Sequence, residues 1–404
     1  MKVILSGGWG YKNIGDDLIL SSTIKLLKNL DSAIEIIVLT YDNHDSISHL
    51  SQGVVLKPSL HKLIDCQAAR YRWRDINENI SIFDTYVGKL LRVIDNSKLN
   101  ILRIIKYKSS KFENSLNGAD LFIMCGGGYF NEGWASKTYS HIKELEIAQN
   151  LGIPTAVLGP SIGKLTSRQK NMVKNVFDKS KALIIRDEAS LETLKNEGLS
   201  AKILSDIAIT DWITVQAKNI DQISNIGITI NSRCNDFIEI LAEDISQYSL
   251  EHKLEISLVI TRKWQTDFES AQNLMNILLK KNIRTKIVIP SDHVELDLVM
   301  SRFDLVISEN LHGLISAARN LIPVIAINKN DTGSPNYKKI VAFLSQAGFD
   351  GQQIDNTFTV GELSILINKI EKNYANLSMN LYQLRQKNLA EYNFFISHYL
   401  FKKS

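Results

Sequence analysis

Short apolar runs alternate with longer amphipathic segments along almost the whole chain. In the first half the runs are Val3-Ile4-Leu5-Ser6, Ile34 to Leu39, Ala119 to Met124, Thr155 to Leu158 and Ala182 to Ile185, closing on Ile203-Leu204-Ser205-Asp206. In the second half they are Ile226 to Ile230, Ile256 to Ile260, Thr285 to Ile289, Leu305 to Ile307 and Val324 to Ile327. Runs with no polar alternation suit strands buried on both faces, which is the situation in a parallel sheet. Between them lie helical patterns: Asp16 onward (Leu18, Ile19, Ile24, Leu27), Lys137 to Leu151, Arg168 to Ser180, Glu188 to Glu197, Asp236 to Ser249, Asp267 to Lys281, His293 to Arg302, Leu314 to Asn320 and Asn336 to Ala347. Strand–helix alternation of this kind predicts an α/β fold of parallel sheets with helices on both faces.

A chain of 404 residues exceeds one ordinary core, so two domains are expected. The polar stretch 211–224 reads as a linker, dividing an N-terminal Rossmann-like domain, 1–210, from a C-terminal one, 225–350. Residues 360–404 read as a helical segment that packs back on the body. Two such sheets facing each other leave a cleft with strand carboxyl ends on both walls.

Bulk properties exclude several classes. Hydrophobic residues make up 44% and charged ones 22%, which argues against disorder. A net charge of +4 is too small for a nucleic-acid binder. Cys66, Cys125 and Cys234 are scattered, with no CxxC pair, so neither a zinc ribbon nor a disulfide framework is expected. The chain opens directly on Val3-Ile4-Leu5 and has no long apolar run, so neither a leader nor a membrane span is expected and a cytoplasmic setting fits.

The chemistry-bearing residues fall at strand ends. Ser308-Glu309-Asn310-Leu311-His312-Gly313-Leu314 joins an apolar strand to a helix of small residues, where open α/β sheets place ligands. A glycine there lets a backbone come close, and a helix start offers N–H groups to an anion. His312 is either the reactive group of such a site or a polar strand-end residue. Near the N-terminus, Gly7-Gly8-Trp9-Gly10-Tyr11-Lys12-Asn13-Ile14-Gly15-Asp16-Asp17 is a glycine-rich strand-to-helix turn that matches neither a Walker loop nor GxGxxG. Asp16 and Asp17 serve there as helix-dipole partners or as ligand contacts. Cys125-Gly126-Gly127-Gly128-Tyr129-Phe130 follows the third strand, and three glycines in a row imply a close approach to the backbone. Arg186 ends a strand, either as an anion-binding cation or paired with Asp187 or Glu188. Residues 67–111 read as helical and locally basic (Arg70, Arg72, Arg74, Arg92, Arg103), either as a solvated face or as a docking surface for anionic lipid or a lipid-linked diphosphate. Leu400-Phe401-Lys402-Lys403 is a weaker membrane-surface candidate.

Taken in order, these motifs resemble the polysaccharide pyruvyl transferase family, from Val3 to about Gly348. Residues Gly8 to Asp17 look like the family's opening glycine-rich motif. Gly126-Gly127-Gly128, Gly159-Pro160-Ser161-Ile162-Gly163 and Arg186-Asp187-Glu188-Ala189-Ser190 match its middle motifs, and Asp304 to Ala318 looks like its strand–R-L-H-G–helix signature. The resemblance implies a GT-B-like pair of domains and transfer of a pyruvyl group from phosphoenolpyruvate to two hydroxyls of a sugar, forming a cyclic ketal. It implies His312 as general acid and Arg186 as anion clamp. The donor contacts it implies are Asn310, Leu311, Gly313, Lys338 and His293. The acceptor contacts are Gly10, Asn13, Asp16, Asp17, Gly127, Gly128 and Tyr129. The acceptor is expected to be a sugar, an oligosaccharide or a lipid-linked saccharide, handled in the cytoplasm or at the inner face of the membrane. The scheme requires no metal and no cofactor beyond phosphoenolpyruvate as co-substrate. One position departs: the family commonly has Arg where this chain has Asn310. Arg319, Lys329, Lys338 and Lys339 are the nearby cations that could replace its charge. Two rival readings stay open on the sequence, a GT-B-like glycosyltransferase using a nucleotide sugar and a catalytically silent homologue in a polysaccharide assembly complex.

Overall fold

Each half of the chain builds one parallel sheet. The computed structural model describes residues 1–10, 13–41, 54–61, 112–210, 218, 220–328 and 334–400. The basic stretch 67–111, residues 211–217 of the polar stretch, and Lys329 lie outside them.

The first sheet holds β1 (Lys2–Ser6), β2 (Glu35–Thr40), β3 (Val54–Pro58), β4 (Leu121–Phe130), β5 (Thr155–Ile162), β6 (Ala182–Ile185) and β7 (Lys202–Ile203), in the order β3-β2-β1-β4-β5-β6-β7. Its helices are α1 (Ile14–Leu30), α2 (Ala135–Asn150), α3 (Ser167–Phe177) and α4 (Glu188–Lys195). The second sheet holds β8 (Asn225–Thr229), β9 (Glu255–Val259), β10 (Arg284–Val288), β11 (Leu305–Ser308), β12 (Val324–Ile327) and β13 (Gln353–Ile354), in the order β10-β9-β8-β11-β12-β13. Its helices are α5 (Ile238–Glu251), α6 (Gln265–Lys280), α7 (His293–Met300), α8 (Leu311–Arg319), α9 (Pro335–Gln346) and α10 (Glu362–Phe395). Every pairing between these strands is parallel. The inner strands β1, β4, β5, β8 and β11 are buried almost end to end, which is why apolar residues dominate their centres.

Both sheets share one topological device. Strands are laid outward from the first strand on one side, and the chain then returns to its other side. The reversal falls between β1 and β4 in the first sheet and between β8 and β11 in the second. Connections diverge at such a point and leave a crevice beyond the strand carboxyl ends.

The contacts divide the chain into two units. One comprises Met1–Tyr11, Thr23–Leu204 and Asn393–Ser404, and the other Lys12–Ser22 and Ser205–Tyr392. Within the second unit α10 is tied down at several points. The Asp244 carboxylate accepts from Gly361 N (2.9 Å), Leu363 N (2.9 Å) and Ser364 Oγ (2.6 Å) at the start of the helix. Further along, Ser378 Oγ donates to Leu321 O and Tyr392 Oη to Ser205 O. No helix among the described residues is long and apolar enough to cross a membrane.

Among the boundaries that differ from the sequence expectation, two bear on the candidate sites, and β3 and β13 are strands it did not include. β4 does not end at Met124 but runs through the three glycines to Phe130, because β5 also continues and pairs Gly127 with Pro160 and Phe130 with Ile162 across a register shift. What approaches the backbone at Gly127 is the ring of Tyr129: the residue has φ 136° and a Cβ there would collide with that ring. The Tyr129 hydroxyl then donates to Cys125 O. α8 begins at Leu311, three residues before the apolar pattern suggests, because Asn310 caps it. Cys125 is fully buried, which pushes its thiol up to about 12 and leaves it inert.

Candidate functional site

At the reversal between β8 and β11, hydroxyls at the strand ends hold the turn that carries His312. Thr229 ends β8 and Ser308 ends β11, and their oxygens are 2.5 Å apart. Ser308 Oγ donates to Asn310 O at 2.8 Å. Asn310 sits in extended backbone before α8, and its Oδ1 accepts from Gly313 N at 2.8 Å. Its Nδ2 donates to Thr261 Oγ1 at 3.1 Å and Thr229 Oγ1 at 3.3 Å. The Asn310 amide is therefore spent on capping the helix and binding it to β8 and to the end of β9. Gly313 completes the seam, since a Cβ on it would collide with Ser308 Oγ. Glu309 is buried, and Asn231 Nδ2 donates to its carboxylate. In this frame Leu311 and His312 form the first turn of α8, with Leu311 buried.

The first turn of α1 meets this one. Ile14 N donates to Thr261 O at 3.3 Å, and Asn13 pairs with Arg262 in an isolated β-bridge. Asn13 Nδ2 donates to Asp16 Oδ2 at 2.8 Å, while its Oδ1 accepts from Gly15 N at 3.3 Å. The His312 ring lies directly on Gly15, where any Cβ would overlap it. His312 Nε2 stands 3.7 Å from Asp16 Oδ1, with side chains 17% and 18% exposed. A carboxylate this close attracts positive charge on the ring. The arrangement can hold a proton on Nε2 and deliver it to a bound molecule.

The structure thus brings together His312, Asn310, Leu311, Gly313, Asn13 and Asp16. Asp17, one residue on, is buried in α1. His293 opens α7 after the edge strand β10, with β9 and β8 between that strand and β11, and is buried. Lys338 is exposed in the first turn of α9. Arg319 is not a substitute cation: it is fully buried and its Nη2 pairs with Asp297 at 2.9 Å. It closes α8, and its backbone carbonyl accepts from Arg385. The cation that lies beside the cluster is Arg262, held by Asp267 at 2.9 and 3.1 Å and stacked 4.5 Å over Trp264. Sequence reasoning missed Thr229, Thr261, Arg262 and the partner of Gly15. The available signal was a threonine within one apolar run, Thr229, and one directly after another, Thr261.

The remaining candidates belong to the first unit. Arg186 is buried at the end of β6, and its Nε donates to Ser161 Oγ at 2.7 Å. Ser161 in turn donates to Asp187 at 2.6 Å, and Asp187 caps α4 through Ser190 N. Gly10 (φ 91°) follows β1, and Gly127, Gly128 and Tyr129 lie in the extension of β4. Beside them, burial together with Lys137 and His141 holds His61 down to about 3. His61 is therefore neutral in the fold but takes a proton below pH ~6.5 when unfolded. Stability is fully present above that pH and falls as pH drops toward 3. Between pH 7 and pH 5 the loss from this residue is about 2 kcal/mol. Urea melts at the two pH values should show it, and His61→Phe should flatten the difference.

Comparisons with known proteins agree with this architecture. No curated protein matches the sequence significantly. Among solved structures, the UDP-GlcNAc 2-epimerase from Neisseria meningitidis bound to UDP-GlcNAc aligns over 100% of both chains, at 12% identity and TM-score 0.56. Acinetobacter baumannii MurG aligns over 97% of this chain and 98% of its own, at 12% identity and TM-score 0.51. The 2-epimerase from Methanocaldococcus jannaschii covers 92% of each at 13% identity and TM-score 0.53. These likenesses establish a GT-B-like fold of two parallel-sheet α/β domains. The sequence profile described as polysaccharide pyruvyl transferase matches residues 13–331, a span that starts in the Asn13–Asp17 turn and takes in Asn310, His312 and Gly313. The chain belongs to the polysaccharide pyruvyl transferase family.

Proposed function

We propose that this chain transfers a pyruvyl group from phosphoenolpyruvate to two hydroxyls of one sugar in a polysaccharide or its precursor, with His312 as general acid. The observation that carries the reading is the seat of His312, a titratable ring at the sheet reversal, pressed on Gly15 and 3.7 Å from the Asp16 carboxylate. The enol carbon of the donor must gain a proton before its C2 accepts a hydroxyl. An imidazolium held by a carboxylate suits that step. The first hydroxyl adds to C2, the second displaces phosphate and closes the ring, and a hydroxyl proton restores His312. The products are one ketal and one phosphate.

The donor carries a phosphate and a carboxylate, and α8 directs its amino end toward this crevice. The charge that Asn310 lacks falls to Arg262, which Asp267 and Trp264 already hold in place.

A thermal-shift titration tests the reading. Phosphoenolpyruvate should raise the melting temperature saturably, with a stabilisation of about 2.7 kcal/mol at a hundredfold excess over its Kd. A rise with nucleotide sugars alone would move the protein to glycosyl transfer. No rise with any donor would mark a chain that has lost donor binding.

A further inference from the structure

The strand end after β9 carries an exposed indole. Trp264 follows Arg262 and Lys263, stands at the N-cap of α6, and is 45% exposed. A single exposed apolar side chain is ordinary and needs no ligand. This one differs in three ways. Its backbone is fixed: Trp264 N donates to Arg262 O at 2.8 Å, its own carbonyl accepts from Asp267 N at 3.1 Å, and Lys263 Nζ donates to Ser291 O at 2.8 Å. One face of its ring is taken, because the Arg262 guanidinium lies 4.5 Å from the ring centre and is itself held by two hydrogen bonds to Asp267.

The indole is also continuous with the His312 cluster. Arg262 and Asn13 are partners in an antiparallel bridge, so their side chains leave the backbone on the same side. The Asn13 amide donates to Asp16 Oδ2, and Asp16 Oδ1 stands 3.7 Å from His312 Nε2. Contacts therefore run from the His312 ring through Asp16, Asn13 and Arg262 to Trp264. All five residues belong to one unit, Lys12–Ser22 with Ser205–Tyr392.

A pyranose ring is the ligand that fits this arrangement. Its axial hydrogens make an apolar face, and its hydroxyls lie around the rim. An indole takes such a face by dispersion and through the negative potential of its π-system. Polar groups flank the indole to meet the rim: the Lys263 ammonium, and the first N–H groups of α6, which no side chain caps. We propose that Trp264 is the acceptor platform of this site. It binds a pyranose ring of the polysaccharide or its precursor face-on and holds the hydroxyls beside the donor that Arg262 and His312 engage. The inference rests on the pyruvyl-transfer reading, and in it Trp264 orients the sugar and takes no part in proton transfer.

The test uses the full chain labelled with ¹⁵N-tryptophan. It should give five indole N–H signals, one for each tryptophan, and the signal missing from Trp264→Phe belongs to Trp264. Methyl pyranosides of glucose, galactose and mannose, added in the presence of phosphoenolpyruvate, should move that signal saturably. In label transfer from ¹⁴C-phosphoenolpyruvate to the envelope fraction of a strain lacking the gene, Trp264→Ala should raise the acceptor needed for half-maximal rate about tenfold. Trp264→Phe keeps a ring and should raise it less. The thermal shift with phosphoenolpyruvate should persist in Trp264→Ala, because Asp267 still holds Arg262. Loss of that shift would make Trp264 a support for Arg262 and overturns the inference. An acceptor requirement within about threefold of wild type overturns it too. So does a Trp264 signal that answers only to UDP, or an equal response at Trp134, which is 40% exposed and would mark adventitious stacking. No response at Trp264 in a protein that transfers label overturns the inference alone. A wild type with neither donor-induced shift nor label transfer, whose Trp264 signal still answers to the glycosides, overturns the pyruvyl-transfer reading and leaves Trp264 as a sugar platform.

Discussion

His312→Ala should stop ketal formation, lowering label transfer from phosphoenolpyruvate by about a thousandfold while the protein stays folded. The ring belongs to α8's first turn and its side chain is 17% exposed. The capping of α8 belongs to Asn310, and its attachment to the sheet belongs to Ser308, Thr229 and Thr261. Truncation therefore removes the imidazole proposed as proton donor and leaves the frame. Asp16→Asn keeps the size of the carboxylate and removes its charge, so it should show an intermediate loss. Rate, melting temperature and the donor-induced shift should be measured on the same preparations. Near-normal turnover in His312→Ala would remove it from the mechanism. A collapse of the melting temperature would show that its role is packing.

Gly15→Ala should be nearly as damaging to activity, although it adds only a methyl group. The added carbon would occupy the space of the imidazole. The backbone beneath cannot retreat freely, because Ile14 N is bonded to Thr261 O and Asn13 is paired with Arg262. The ring must leave its place above Asp16, and the overlap should also cost about 1–3 kcal/mol of stability. The double variant separates this account from a general backbone effect. Removing the ring vacates the space, so Gly15→Ala with His312→Ala should be more stable than Gly15→Ala alone, and the activity losses should not add. Equal stabilities would falsify the steric account.

The architecture was legible because it follows from periodicity. Buried parallel strands need uninterrupted apolar residues, and the covering helices need one apolar face, so runs such as Val3-Ile4-Leu5 and Leu305-Val306-Ile307 announce themselves. Helix starts were less legible. Asn310 caps α8 through a side-chain bond to Gly313, and that bond has no signature in hydrophobic pattern. The motif around His312 was found because it stands between a strand and a helix, and the family profile covers it.

The charge and proton network was not legible at all. The order of residues marks Gly15 and His312 as separate features, and only the folded chain makes the glycine the seat of the ring. Arg319 looked available and is sealed against Asp297, while Arg262 drew no attention and stands beside the cluster. Ser6, Tyr41, His61, His141 and Glu144 share no motif, yet three strand ends and one helix bring them within hydrogen-bonding and ring-contact range. Local pattern dictates which segments become strands and helices, because burial of apolar surface repeats with the period of the backbone. Which polar groups meet depends on strand order and crossover, and those bring together residues far apart in the chain, where short-range pattern carries no information.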